Sequence, residues 1–236
     1  RPDALAIVIG IPGVAKATAD AGLMKIFFER LLRIPAADVK LFSAGVTRNE
    51  LVTLFAQKLA SAVDYRTDLY LFYSGGAVVD ATGDSYLVPR DGSNARHLVP
   101  QTCYRVQELY AALSDLEVRS RTIILDLRSP LGAPQTLFLP SAATGGSPGP
   151  TTVISSVAPS SYDLITPDVD HGPFVRQLAL GLRGSADADG DGRISLAEIR
   201  DFVGERLSAD GAGPSVEFWT SDGDYERLFA PVAGEE

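Results

Sequence analysis

Twelve consecutive residues, Asp187-Ala188-Asp189-Gly190-Asp191-Gly192-Arg193-Ile194-Ser195-Leu196-Ala197-Glu198, carry carboxylates at the first, third, fifth and twelfth places and glycine at the sixth. This is the spacing of an EF-hand loop, in which six to eight oxygens surround a hard cation. The expected donors to Ca2+ are the side chains of Asp187, Asp189 and Asp191, the carbonyl of Arg193 and both oxygens of Glu198, with Ser195 acting through water. A solvated acidic loop in which Ser195 merely caps the next helix is the competing reading. The offsets of Gly192 and Glu198 favour the ion. A single loop rather than a pair predicts a site that staples two helices, not one that switches a groove open.

Groups able to do covalent chemistry are few. Cys103 is the only thiol, and His97 and His171 are the only imidazoles. His97 and Cys103 lie close in sequence, and a nucleophile and its base need meet only in space, so they form one candidate dyad. The alternative is an inert packed thiol beside a solvated imidazole. Ser74 and Ser129 fall at the ends of expected strands with no histidine near in sequence, where hydroxyls commonly cap turns. Ser74-Gly75-Gly76 lacks the lysine and glycine spacing of a phosphate cradle.

These groups must be held by alternating strands and helices. Ala4–Ile11 is an unbroken apolar run, the mark of a strand buried on both faces. Met24, Phe27, Phe28 and Leu31 recur at helical spacing, Pro35 stops that helix, and a short strand is expected at Val39–Phe42. Thr47-Arg48-Asn49-Glu50 is a capping box opening a helix that turns Leu51, Leu54, Phe55 and Leu59 inward. Further strands are expected at Leu69–Tyr73, Thr122–Leu125, Val153–Val157 and Val216–Trp219, a small hairpin at Leu87 and Val88, and helices at Val106–Leu113, Phe174–Leu182 and Leu196–Leu207. The pattern predicts an α/β fold with a mostly parallel sheet covered on both faces. Residues 131–150, rich in Gly, Pro, Ser and Ala, are expected to be an exposed linker between halves 1–130 and 151–236 of one domain. Ligand chemistry in such sheets sits beyond the carboxyl ends of the strands, which directs attention to the segments after Gly10, Tyr73, Leu125 and Val157.

The 236 residues include 30 acidic and 21 basic ones, a formal charge of -9, and 45% are hydrophobic. That balance suits a folded domain and removes the usual electrostatic reason for binding nucleic acid or an anionic membrane. No apolar run is long enough to span a bilayer. Proteins, cations and basic peptides are the expected partners. The lone cysteine leaves the compartment open, with the cytoplasm favoured, and the start at Arg1 suggests a piece of a longer product.

Several segments taken together resemble the caspase-like cysteine peptidases, and within them the prokaryotic metacaspase and orthocaspase branch. They are Ala4–Gly10, Ala19-Asp20-Ala21, Leu71-Phe72-Tyr73-Ser74-Gly75-Gly76-Ala77, Gly83-Asp84-Ser85-Tyr86-Leu87-Val88-Pro89, Ile124-Leu125-Asp126-Leu127-Arg128-Ser129-Pro130-Leu131-Gly132 and His171-Gly172-Pro173-Phe174. The resemblance runs from Leu5 to about Leu207 and implies a three-layer sandwich around a six-stranded sheet. It also implies a catalytic His after the third strand and a catalytic Cys after the fourth. Here those places hold Gly76 and Arg128, and neither can form a thiolate–imidazole pair. The resemblance therefore implies an inactive relative that works by binding another protein, an active caspase-like homologue or a basic peptide segment among the candidates. Asp126 matches the family's acidic residue in the substrate pocket. Residues two apart in a strand point the same way, so Arg128 either swings onto Asp126 and fills that pocket or points to solvent. Asp80, Asp84 and Asp91 lie where some metacaspases hold a second calcium ion, but their loose spacing favours solvated loop carboxylates.

Overall fold

The computed structural model describes residues 2–129, 138–140, 149–160, 170–208 and 214–231. Strand β1 (Ala4–Gly10) is buried from Leu5 onward, as an unbroken apolar run requires of a central strand. Helix α1 (Ala17–Arg30) leads to β2 (Val39–Phe42), which pairs parallel with β1. The capping box forms: the Thr47 hydroxyl accepts the Glu50 N–H, and the Glu50 carboxylate accepts the Thr47 N–H. It opens α2 (48–62), whose middle turn Leu54–Lys58 is wound as a π-helix. Strand β3 (Asp68–Val79) then pairs with the other side of β1. The chain thus crosses in one direction to reach β2 and in the opposite direction to reach β3. Right-handed crossovers accordingly put α1 and α2 on opposite faces of the sheet.

Strand β4 (Ser85–Val88), the short α3 (Val99–Thr102), β5 (Tyr104–Arg105), α4 (Val106–Ser114) and β6 (Ser120–Ser129) follow. After these come β7 (Thr151–Pro159), α5 (Pro173–Leu180), β8 (Arg193–Ser195), α6 (Leu196–Ser208), β9 (Ser215–Thr220) and β10 (Leu228–Pro231). The main sheet has eight strands in the order β2-β1-β3-β6-β7-β9, with β4 and β5 branching from β3; β8 and β10 form a separate pair. Pairing is parallel from β2 through β7, and β9 closes the edge antiparallel. One face buries Leu51, Phe55 and Leu59 of α2 and Leu109 and Leu113 of α4 against Leu71, Tyr73 and Ile123. The other buries Met24 and Phe28 of α1, Phe174 of α5 and Val203 of α6 against Phe72 and Ile124. The expected α/β three-layer sandwich is the observed one.

Three differences have physical reasons. Strands β3 and β6 continue past Tyr73 and Leu125 to Val79 and Ser129, so Ser74, Gly76 and Arg128 lie inside strands rather than in turns. The extension is held because β4 pairs with Gly76–Val79 from one side while β6 stays paired with β3 as far as Gly76 on the other. The elements α3, β5, β8 and β10 have at most four residues each, too few for a periodicity to show. Finally, the expectation of an exposed linker over 131–150 fails at Phe138, which is fully buried (0%) in the α2/α4 core. Its carbonyl accepts the Tyr110 hydroxyl at 2.6 Å. The small-residue composition around it conceals this one aromatic anchor; 131–137 and 141–148 lie outside the described residues.

Arg121 fixes the same region. It is 1% exposed and donates from Nε to the Leu113 carbonyl at 2.7 Å and from Nη1 to the Gly149 carbonyl at 3.3 Å; Nη2 donates to Leu116 O. A buried cation at the carboxyl end of α4 adds a donor to the Leu113 carbonyl, which also accepts the Leu116 N–H, and serves two loop carbonyls beyond the helix. Desolvation pulls the guanidinium down to about 10, so it stays charged at neutral pH. Replacing Phe138 by Ala should lower unfolding free energy by about 3–5 kcal/mol, the range for emptying a buried aromatic site. Urea denaturation giving a loss of less than about 1 kcal/mol would mean that this segment is not an anchor.

Candidate functional site

The register of the parallel strands sets Ser74 opposite Asp126, Gly76 opposite Arg128, and Asp126 opposite Ser156. Register partners point the same way, so these side chains share the face covered by α1 and α5. They lie near the carboxyl ends of β3 and β6, beside the switch point between β1 and β3 where the strand order reverses, the usual place for ligand chemistry in open α/β sheets.

Asp126 has no solvent exposure (0%), and Arg128 has 4%. The Arg128 Nη1 donates to Asp126 Oδ1 at 2.8 Å, and the Ser74 hydroxyl donates to Oδ2 at 2.9 Å. Arg128 thus takes the inward of its two expected poses. A second buried carboxylate, Asp20 of α1 (0% exposed), accepts the Gly172 N–H at 3.0 and 3.2 Å and meets His171 Nδ1 at 3.1 Å. Gly172 is where the two halves of the cluster meet. A β-carbon there would stand 2.9 Å from both Arg128 Nη2 and Asp20 Oδ2, and 3.6 Å from Asp126 Oδ2. A side chain there would displace the Arg128 guanidinium or the Asp20 carboxylate from these positions. Gly10 likewise lets α1 come close, since a β-carbon on it would meet the Ala17 carbonyl at 2.6 Å.

The Asp20–His171 contact was not foreseen from the sequence, because it spans 151 residues. Half of it had a local signal: Asp20 sits on the same helical stripe as Met24 and Phe28, a carboxylate where the period calls for an apolar residue. Among the described residues no serine or cysteine is hydrogen-bonded to a histidine, so the cluster has charge and donors but no activated nucleophile.

The structure does not bring Cys103 and His97 together. Cys103 is 1% exposed among Val78, Tyr86 and Val99, and its thiol donates to the Ser93 carbonyl at 3.6 Å. Burial pushes the thiol's pKa up, which disfavours a thiolate. His97 is exposed. Ser129 is buried within β6. The loop carboxylates are spent locally. Asp80 accepts N–H groups of Thr82 and Asp84 and the Tyr86 hydroxyl, Asp84 pairs with Arg105 at 2.6 Å, and Asp91 accepts the Arg48 N–H.

The acidic loop lies between α5 and α6. Carboxylate oxygens of Asp187, Asp189 and Asp191 converge within 4.8 Å of one another. Backbone bonds hold them there: Asp187 accepts N–H groups of Gly190, Asp191 and Gly192 at 2.9, 3.2 and 3.0 Å, and Asp191 accepts that of Arg193 at 2.7 Å. Gly192 takes φ 77°, the left-handed turn that its place in the loop requires. Glu198 is engaged otherwise. Its carboxylate accepts the Ala188 N–H at 2.9 Å and the Ser195 N–H at 2.8 Å, while Ser195 Oγ accepts the Glu198 N–H, a capping box for α6. The Ser195 N–H bond is the main reason its carboxyl titrates below the ordinary range. The remaining donor, the Arg193 carbonyl, belongs to β8, which β10 pairs antiparallel. The donor set, all oxygen and mostly carboxylate, suits a hard divalent cation.

Fold and site together define a three-layer α/β protein with a buried ion cluster at the carboxyl edge of its sheet and an acidic loop before its last long helix. No protein-family model and no curated protein matches the chain. Among solved structures it is similar to protein GSU0716 from Geobacter sulfurreducens, at 17% identity and a TM-score of 0.59, with 93% of each chain covered. That likeness concerns the fold alone.

Removing one partner of the buried pair leaves the other charged and unsatisfied, so Arg128→Ala should lower stability by about 3–5 kcal/mol. The double change Asp126→Leu/Arg128→Met removes both charges and should cost less than the single one. Urea midpoints of the three proteins check this order; the reverse order would remove the pair from its place at the centre of the site.

Proposed function

We propose that the chain is a caspase-like pseudoprotease: a fold of the peptidase kind without its chemistry, working as a calcium-binding, regulatory protein-interaction module. The observation that carries this reading is Arg128, buried on Asp126 and directly opposite Gly76. At the two places where the resemblance implies a thiol and an imidazole, there is a guanidinium tied to a carboxylate and a residue with no side chain. The surroundings agree with a site closed to catalysis, since a β-carbon on Gly76 would stand only 3.2 Å from Val88 Cβ. An imidazole at that place would require Val88 to move. With Arg128 in the position that a basic substrate side chain would take against Asp126, binding is expected to use other surfaces.

The EF-hand reading of 187–198 belongs to the same proposal. Asp187, Asp189 and Asp191, the Arg193 carbonyl and Glu198 would hold Ca2+, with Ser195 reaching it through water. The ion would offset the mutual repulsion of the converged carboxylates. A stapling role is supported by β8, whose pairing with β10 ties the loop to the end of the described chain.

Incubation with an arginyl peptide electrophile should leave Cys103 unmodified. Labelling of Cys103 that disappears in His97→Ala would overturn the inactive reading in favour of a displaced catalytic pair. Calorimetry should show one calcium ion per chain. At about 100 times Kd the ion should add roughly 2.7 kcal/mol to stability. Glu198→Gln keeps the capping box, which accepts Gln, but gives up the Ala188 N–H bond, so it should weaken calcium binding by roughly tenfold or more while lowering the metal-free melting temperature only by the few degrees that one exposed hydrogen bond is worth. Unchanged affinity in that variant would rule out an EF-hand geometry.

A further inference from the structure

At the amino edge of the sheet, opposite the ion cluster, lies an open groove of about 1170 Å3. It is bounded by the starts of β1 and β3, the segment leading into β6, the second half of α1 and the end of α5. We propose that this groove docks a partner peptide that presents apolar side chains together with carboxylates. This inference does not depend on the proposed function.

Its floor is apolar, formed by Leu23, Phe27, Leu31, Ile34 and Leu182, and Ile26 on its lip is 54% exposed. Its rim is cationic. Arg30, Arg33 and Arg183 line it, and none has an ion-pair partner among the described residues. Arg119 is also there but is occupied by Asp68. The lining carboxylates Asp3 and Asp38 offset two of these three cations and leave one in excess, in a chain that has 30 acidic against 21 basic residues. A local charge opposite in sign to that of the whole molecule selects an acidic partner and repels basic ones. Size decides between a small ligand and a peptide. Small-molecule sites enclose about 300–1000 Å3 and surround most of their ligand, whereas this groove is somewhat larger and only about half enclosed, which favours a peptide lying across it.

Arg33 supplies an independent observation. It sits at φ 54°, in the turn that ends α1, where the Ile34 N–H reaches back to the Phe28 carbonyl at 3.0 Å. That left-handed position at a helix end is ordinarily given to glycine, which adopts it without strain. Here a long cationic side chain is kept at the cost of local strain, and it stands on the rim.

A peptide-display library panned on the protein tests the proposal. Enriched sequences should combine Asp or Glu with Leu, Ile or Phe, and their binding should weaken as salt rises. The double variant Arg30→Glu/Arg33→Glu should bind the enriched peptides roughly tenfold or more weakly. Arg33→Gly should raise the melting temperature by about 2–4 °C while lowering affinity, a combination that loss of folding cannot mimic. Absence of acidic sequences among the enriched ones, or equal binding by the double variant, would overturn the proposal. So would groove-dependent binding of laurate in preference to peptide, or self-association that the double variant abolishes, which would assign the groove to an acyl anion or a second copy.

Discussion

An ionised carboxylate without access to water must be neutralised by its neighbours, and Asp126 imposes that requirement at the middle of the sheet. Arg128 meets it from two residues along the same strand, and Ser74 adds a donor from the neighbouring strand. Both depend on β3 and β6 remaining in register as far as Gly76 and Arg128, which places the group that needs compensation beside those that give it. The sheet's length and the site's electrostatics are therefore one constraint. If β6 were to end at Leu125, as its apolar run alone suggests, Asp126 would lie in a turn open to water and Arg128 would have no reason to fold inward.

The second carboxylate, Asp20, extends this logic across the layers. Helix α1 carries it to the sheet because Gly10 permits a close approach, and the segment before α5 answers with two N–H contacts and an imidazole because Gly172 permits another. Three elements far apart in sequence are thereby held to one polar centre within an otherwise apolar layer. Partnered polar groups of this kind favour one arrangement of the helices over others in which a buried charge is stranded.

What was legible in the sequence was whatever a local pattern encodes. The run Ala4–Gly10, the stripe of Met24 and Phe28 and the Thr47–Glu50 box each specify their element through contacts within a few residues, and the structure has them where they were expected. The acidic loop was legible for the same reason, its residues being consecutive, and the Asp126–Arg128 spacing allowed the inward pose to be named. The failures are non-local. Gly75-Gly76 reads as a turn until β6 pairs with both residues and β4 with Gly76, Phe138 reads as linker until Tyr110 reaches its carbonyl, and the contact of His171 with Asp20 has no sequence neighbour to announce it. Short strands such as β8 exist only because β10 comes alongside.

Phe138 and Arg121 have a consequence for the integrity of the chain. The backbone is gripped on one side of 141–148 by an aromatic plug in the core and on the other by a guanidinium holding Gly149. Parallel pairing of β6 with β7 joins the two sides independently of the peptide bonds between them. A protease nick between these grips would sever the polypeptide without separating its fragments, which would remain locked together as a two-chain protein.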